Sequence, residues 1–123
     1  MGNPKTNKSR KKNKFFIMSN SKLEALKGDF KIGGDQLPEV VVYWDIKFGG
    51  ADFRTNLNVN YIGDTWNDQV SSFIIVSGKW QFYRDRDFQV PVGGILGPGY
   101  YSWVEDYGIP NNCISSFQCV AFR

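Results

Sequence analysis

The sequence predicts an all-β fold in which two Greek-key motifs form a β-sandwich, preceded by a disordered basic N-terminal tail. Three observations carry that expectation. Aromatic residues make up 16% of the 123 residues and recur from Tyr43 to Phe122 in short bursts separated by Gly, Asn and Asp, as strands and turns would be. An Asx-Asx-x-x-Ser-Ser string occurs twice, as Asn67-Asp68-Gln69-Val70-Ser71-Ser72 and Asn111-Asn112-Cys113-Ile114-Ser115-Ser116, each followed by an apolar run. Upstream of each string a second pattern repeats at an offset of forty, pairing Tyr43 with Tyr83, Phe48 with Phe88 and Gly50 with Val90.

Taken in order, residues 1–36 are expected to be a tail and lead-in. Residues 1–21 are basic, rich in Asn and Ser, and too poor in apolar side chains to fold alone. Residues 22–27 could form a brief helical turn ending at Gly28, although a helix this short is marginal in water. The domain is expected over 37–123. Its first Greek key runs from about 39 to 78, opening on the β-branched run Val40–Val42. Its second runs from about 79 to 121, opening at Trp80–Tyr83. Each copy of about forty residues has room for four short strands. The joint Ser77-Gly78-Lys79 is too short to let the copies separate, which favours one fused core. The serine pairs recur at an offset of forty-four, so the second copy has gained four residues, expected near Val92-Gly93-Gly94 or within Tyr100–Tyr107.

The net charge of +3 conceals a division. Residues 1–31 carry nine Lys or Arg against Glu24 and Asp29, whereas residues 32–123 carry six basic and ten acidic residues. An acidic body suits a cation and argues against a surface that grips phosphates, so no specific nucleic-acid partner is expected. The tail could make a loose, salt-sensitive contact with an anionic surface or nucleic acid. No apolar stretch approaches the roughly eighteen residues of a membrane span. The apolar run Phe15–Met18 falls short of the roughly 7–15 residues of a secretory core, so a soluble chain is expected, with the cytoplasm favoured. Met18 offers an alternative translation start. Cys113 and Cys119 could pair only if their Cα atoms came within about 7 Å, and two reduced thiols are the expectation.

Enzymatic chemistry has little support. There is no histidine, so Ser-His and Cys-His dyads are excluded, and there is no CxxC pair or phosphate-cradling Gly loop. Asp85 and Asp87, alternating with Arg84 and Arg86, read as a solvated edge that discourages aggregation. Glu105-Asp106 reads as a surface loop, and Tyr100, Tyr101 and Trp103 as packing residues. The two Asx/Ser strings are different. Asn, Asp and Ser are ordinary turn residues, but a duplicated set concentrates amide, carboxylate, hydroxyl and carbonyl oxygens, the donors a hard cation such as calcium takes.

The spacing in Tyr43-Trp44-Asp45-Ile46-Lys47-Phe48-Gly49-Gly50, an aromatic followed by Phe and then Gly, together with the downstream string, resembles the βγ-crystallin domain, closest to its microbial calcium-binding members. The resemblance covers roughly residues 39–121. It implies a γ-crystallin-like sandwich holding two calcium ions in a double clamp, each site borrowing ligands from both loops. Carried to this chain, it proposes side-chain oxygens of Asn67, Asp68, Asn111 and Asn112, chiefly Asp68 and Asn112. It adds the carbonyls of Gln69 and Cys113, the hydroxyls of Ser71 and Ser115, and carbonyls near Trp44 and Arg84. Ser72 and Ser116 are assigned to bracing the loops. Val90 stands where the family has Gly. If that position needs a positive φ, strain of about 1–2 kcal/mol would reshape the hairpin, with Pro91 and Gly93-Gly94 taking over the turn. Only Asp68 among the string residues is a carboxylate, so binding between roughly micromolar and millimolar is expected, with magnesium competing poorly. The expected protein is a monomer that binds calcium and catalyses nothing. The rival expectation is a metal-free structural or partner-binding sandwich.

Overall fold

The computed structural model describes Ile32 and residues 37–122. The disorder expected for residues 1–21 and the helical turn expected for 22–27 lie outside the described residues. Among the latter there are seven strands: β1 (Glu39–Tyr43), β2 (Asp52–Thr55), β3 (Ser72–Ser77), β4 (Lys79–Asp85), β5 (Gln89–Leu96), β6 (Gly99–Tyr101) and β7 (Ser116–Ala121). They form two antiparallel sheets, one in the order β2-β1-β3-β6 and one in the order β5-β4-β7. β6 belongs to the second sequence copy yet pairs with β3 of the first, so the copies exchange an element and share one core.

Alternation along the strands builds that core. Val40 and Val42 of β1, Phe73 and Ile75 of β3, Trp80 and Phe82 of β4 and Phe117 of β7 are all buried in one cluster between the sheets. Phe73 stacks on Phe82 with ring centroids 4.3 Å apart, which joins the sheets at their centre. The Trp80 indole N–H donates to the Ser77 carbonyl at 2.9 Å, so the largest buried side chain is also satisfied. Only Gly78 separates β3 from β4, in keeping with the short joint.

Four strands per copy is not what forms. The first copy has three, and its fourth segment is reduced to an isolated bridge in which Val59 and Phe117 exchange both backbone hydrogen bonds, at 2.9 and 3.0 Å. The local sequence Asn56-Leu57-Asn58-Val59-Asn60 explains this, because Asn is depleted in strands and bonds backbone groups through its side chain. The Asn58 Oδ1 accepts the Cys119 N–H at 2.8 Å, in place of a ladder partner.

The four added residues are also divided. Ile62 N–H donates to the Ser115 carbonyl and Val104 N–H to the Ser71 carbonyl, which equates residues forty-two apart, while the left-handed residues Asp68 and Asn112 are forty-four apart. Two residues therefore enter between Val90 and Val104 and two between Val104 and Asn112. Both hairpins keep one backbone path. Lys47 and Phe48 have φ of 55° and 62°, matched by 60° at both Asp87 and Phe88. Gly50 lies at 72° and Val90 at 60°, so the second hairpin is not reshaped and the β-branched side chain sits in the left-handed region.

Candidate metal centre

Each hairpin is fixed to its Asx/Ser loop by the second serine of the string. Ser72 Oγ accepts the Phe48 N–H at 3.0 Å and donates to the Asp45 carbonyl at 2.6 Å. Ser116 Oγ accepts the Phe88 N–H at 3.1 Å and donates to the Asp85 carbonyl at 2.7 Å. Both serines are buried, and both are the braces the sequence suggested. The first serine of each string ties the loop to the start of the same hairpin. Ser71 N–H donates to the Tyr43 carbonyl at 3.0 Å, and Ser115 N–H to the Tyr83 carbonyl at 2.9 Å. Trp44 and Arg84, the next residue of each hairpin, are thereby held beside the loops. Trp66 of the first loop packs edge-on against Trp44, with centroids 5.4 Å apart, and fixes that loop from its other side.

The two loops also meet each other. The Asp68 N–H donates to the Ile114 carbonyl at 3.1 Å. The Ser115 hydroxyl donates to Asn67 Oδ1, joining the first Asx of one string to the first serine of the other. Under the repeat, the counterpart pair is Asn111 and Ser71. Asn111 Oδ1 and Ser71 Oγ are both buried without a hydrogen-bond partner among the described residues, as is Gln69 Oε1. Burying such oxygens unsatisfied costs about 1–3 kcal/mol each, and Ser71 and Asn111 lie on positions paired by the repeat.

Asp68 and Asn112 occupy the left-handed region at φ 62° and 64° and remain exposed, while Asn67 and Asn111 are half-buried. Of each Asx pair, then, the first carries the inward oxygen and the second turns the chain. Burial and then the nearby Asp85 charge push the Asp68 carboxyl above its ordinary value. A cation would relieve that repulsion. Cys113 is half-buried and its thiol is pushed up to about 11 by burial, so it is protonated at neutral pH and offers no thiolate. Both cysteines are free.

Asp85 and Asp87 are exposed, as a solvated edge would be, and they also border a cleft. A cleft of about 590 Å³ is lined by Asn67 and Ser115 together with Tyr61, Asp85, Arg86 and Asp87. Asp85 and Asp87 border this cleft beside the loop residues Asn67 and Ser115, next to the left-handed pair Asp87-Phe88. Arg86 lies over the Tyr61 ring, 4.2 Å from its centroid. Glu105 accepts the Asn111 N–H at 3.2 Å, so it also belongs to the second loop. Alternation along a strand could not reveal these neighbours, whereas the repeat does, since Asp85 is the counterpart of Asp45. Among the described residues, no three His, Cys, Asp or Glu side chains gather into one metal-ligating group. The donor set is dominated by amide, hydroxyl and carbonyl oxygens, which fits a hard cation better than a soft one.

Tyr100 packs on Phe48 and Tyr101 stacks on Phe73, as expected of packing residues. No helix among the described residues is long and apolar enough to cross a membrane.

The family model for Beta/Gamma crystallin matches residues 39–120. A beta/gamma-crystallin of Ciona intestinalis is 30% identical over 79 residues, covering 63% of this chain and 93% of that protein. Among solved structures, a betagamma-crystallin from an archaeon is 41% identical at a TM-score of 0.65, covering 69% of this chain and all of that one. A transition-metal-ion-binding betagamma-crystallin from Methanosaeta thermophila is 29% identical at a TM-score of 0.59, covering 66% of this chain and 99% of that one. With its two exchanged Greek-key copies, serine-braced hairpins and paired Asx/Ser loops, the chain belongs to the βγ-crystallin family.

Proposed function

We propose that this domain binds two calcium ions, one at each place where an Asx/Ser loop meets its repeat, and that the ions stabilise the fold without any catalytic role. The observation that carries the reading is the set of buried oxygens without a partner, Ser71 Oγ and Asn111 Oδ1, on the pair of positions related by the repeat to the bonded Ser115 and Asn67. One site would draw on Asn111 and Ser71, the other on Asn67 and Ser115. Asp68, Asn112, the carbonyls of Gln69, Cys113, Trp44 and Arg84, and water would complete them. Each site takes oxygens from both copies, so an ion bound there opposes their separation. The Methanosaeta relative is described as binding transition-metal ions, but the oxygen-rich donors here and the protonated Cys113 thiol favour a hard cation.

Titration calorimetry of calcium into chelator-treated protein tests this directly. Two sites are expected, and Ser71→Arg and Ser115→Arg are each expected to abolish one. At a free concentration a hundred times Kd, each ion adds about 2.7 kcal/mol, so the melting temperature should rise with calcium. A melt unchanged by millimolar calcium after chelation would leave the metal-free structural reading in its place.

A further inference from the structure

The second hairpin carries a positive charge inside the cleft proposed above for calcium. Arg86 borders that cleft together with Asn67, Ser115, Asp85 and Asp87. At the counterpart position, forty residues earlier, the first hairpin has the buried and uncharged Ile46. Arg86 stands between Asp85 and Asp87 in the chain, so its long side chain has two carboxylates within reach. Paired with either of them, the guanidinium would set a positive charge where the ion has to enter. It is held elsewhere. Its central carbon lies 4.2 Å from the centroid of the Tyr61 ring, and among the described residues it forms no ion pair with Asp85 or Asp87. The ring is itself fixed. The Asn60 carbonyl accepts the Asp87 N–H at 2.7 Å and the Ile62 N–H donates to the Ser115 carbonyl at 2.9 Å, so the residues on either side of Tyr61 are tied to the hairpin and to the second loop. The Tyr61 hydroxyl donates to Asp64 Oδ1, which holds the far end of the ring. In the other half the backbone part recurs, with Lys47 N–H donating to the Ser102 carbonyl at 2.7 Å and Val104 N–H to the Ser71 carbonyl at 2.9 Å. The residue between them is Trp103, but Ile46 offers it no cation to receive. The arginine on a tyrosine face is therefore a feature of the Asn67 site alone.

We propose that Tyr61 is a positioning residue for calcium at the Asn67 site and acts through Arg86, its ring face holding the guanidinium beside the carboxylates and not on them. The role rests on the calcium reading of that site. A cation over an aromatic face and an exposed ion pair are of similar strength, so the ring competes with Asp85 and Asp87 on equal terms while no ion is bound. Once a divalent ion enters, repulsion between like charges adds to the preference for the ring. Without the ring the guanidinium settles on the carboxylates, and an incoming ion has to displace it. For a pair of the strength usual at an exposed surface, that displacement weakens calcium binding about threefold to fivefold.

A cycle of substitutions read by calcium calorimetry in the Ser71→Arg background, which is expected to keep only the Asn67 site, tests this on the full-length chain. Tyr61→Leu is expected to weaken calcium about threefold to fivefold, and Tyr61→Phe, which keeps the ring and gives up the hydroxyl, to stay within about twofold. With Arg86→Gln present, Tyr61→Leu should change the affinity by less than about twofold, because the cation it releases is gone. In the Ser115→Arg background, Tyr61→Leu should leave the Ser71 site within about twofold as well. A second measurement needs no metal. In chelator, the Arg86 Cδ protons are expected to show an aromatic ring-current shift by NMR in the wild type and in Tyr61→Phe, and to lose it in Tyr61→Leu. Unshifted Arg86 protons in the wild type would overturn the role, even if Tyr61→Leu proved unstable. So would an equal loss of affinity with and without Arg86, which would make Tyr61 a structural part of its loop. Wild-type protein that takes up no calcium would overturn the calcium reading and this role with it, whereas bound calcium without coupling between Tyr61 and Arg86 would overturn this role alone.

Discussion

Gly50 and Val90 occupy one position of the repeat with opposite side-chain chemistry, and the difference predicts an asymmetric response to substitution. Gly50 has φ of 72°, and a Cβ built there would lie 2.9 Å from Asp45 Oδ2 and 3.1 Å from both Asp45 Cγ and Trp44 Cβ. Gly50→Ala therefore adds left-handed strain of about 1–2 kcal/mol. Pushing Asp45 aside adds roughly another 1 kcal/mol of overpacking. Reduced freedom of the unfolded chain returns only about 0.4–1 kcal/mol. The net loss is about 1–2 kcal/mol, equivalent to roughly 4–16 °C in melting temperature for a domain of this size. At Val90 the strain is already present, at φ 60°, and the side chain is 48% exposed. Val90→Ala relieves some crowding and gives up a little burial, so a change within about 0.5 kcal/mol is expected. Urea titration in chelator, followed by tryptophan fluorescence, measures both variants free of any metal contribution. If Gly50→Ala leaves the midpoint unchanged with an unchanged slope, the left-handed path at this hairpin does not carry the cost assigned to it.

Two further predictions follow from the braces and from Asp68. Ser72→Ala leaves the buried Phe48 N–H without its acceptor at 3.0 Å, and a loss of about 1–3 kcal/mol is expected in the same urea experiment. The Asp68 carboxyl is raised by burial and then by Asp85, so in the folded state without metal its charged form is disfavoured. Its contribution to stability is therefore present below the ordinary value of 3.8 and is lost as pH rises through the elevated folded value. Asp68→Asn should remove that portion of the pH dependence, leave the chelated protein at least as stable at neutral pH, and weaken calcium binding. Asn tolerates the left-handed φ of 62° as Asp does, so the backbone is not the variable. Melting curves of both proteins across that pH range check the difference, and parallel curves would contradict the assignment.

The duplicated strings were legible because each residue type in them answers a local physical demand. Asp68 and Asn112 supply left-handed turns that most side chains resist, and Ser72 and Ser116 supply the one hydroxyl that can both accept an N–H and donate to a carbonyl. The exchange of β6 into the first sheet was not legible, since strand order depends on which apolar faces meet and not on any one segment. The reduction of residues 56–60 to a single bridge was visible only as a surplus of Asn. That Asp85 and Asp87 border the same cleft as Asn67 and Ser115 was not legible, because alternation along a strand says nothing of the loop that meets it.

The two proposed calcium sites differ in a way that sets two effects against each other. At the Asn67 site the Ser115 hydroxyl already donates to the amide, so an ion entering there must displace a hydrogen bond of about 0.5–1.5 kcal/mol, whereas Ser71 and Asn111 have no such bond to break. Taken alone, this favours the Ser71 site. The Asn67 site, however, has Asp85 and Asp87 in its cleft, with Asp85 close enough to raise the Asp68 carboxyl. The Ser71 site has the counterpart carboxylate Asp45, and Glu105 at Asn111, but at the position corresponding to Asp87 it carries Lys47. One unit-charge pair at 4 Å is worth about 4 kcal/mol at an effective dielectric of 20, and even a several-fold reduction by solvent at these exposed carboxylates matches the hydrogen bond. Asp87 in place of Lys47, a difference of two charge units beside a divalent ion, exceeds it. The site kept by Ser71→Arg should therefore bind calcium more tightly than the site kept by Ser115→Arg, and its affinity should fall more steeply with added salt. The reverse order at low ionic strength would mean that satisfied hydrogen bonds, and not the carboxylates of the second hairpin, rank the two sites.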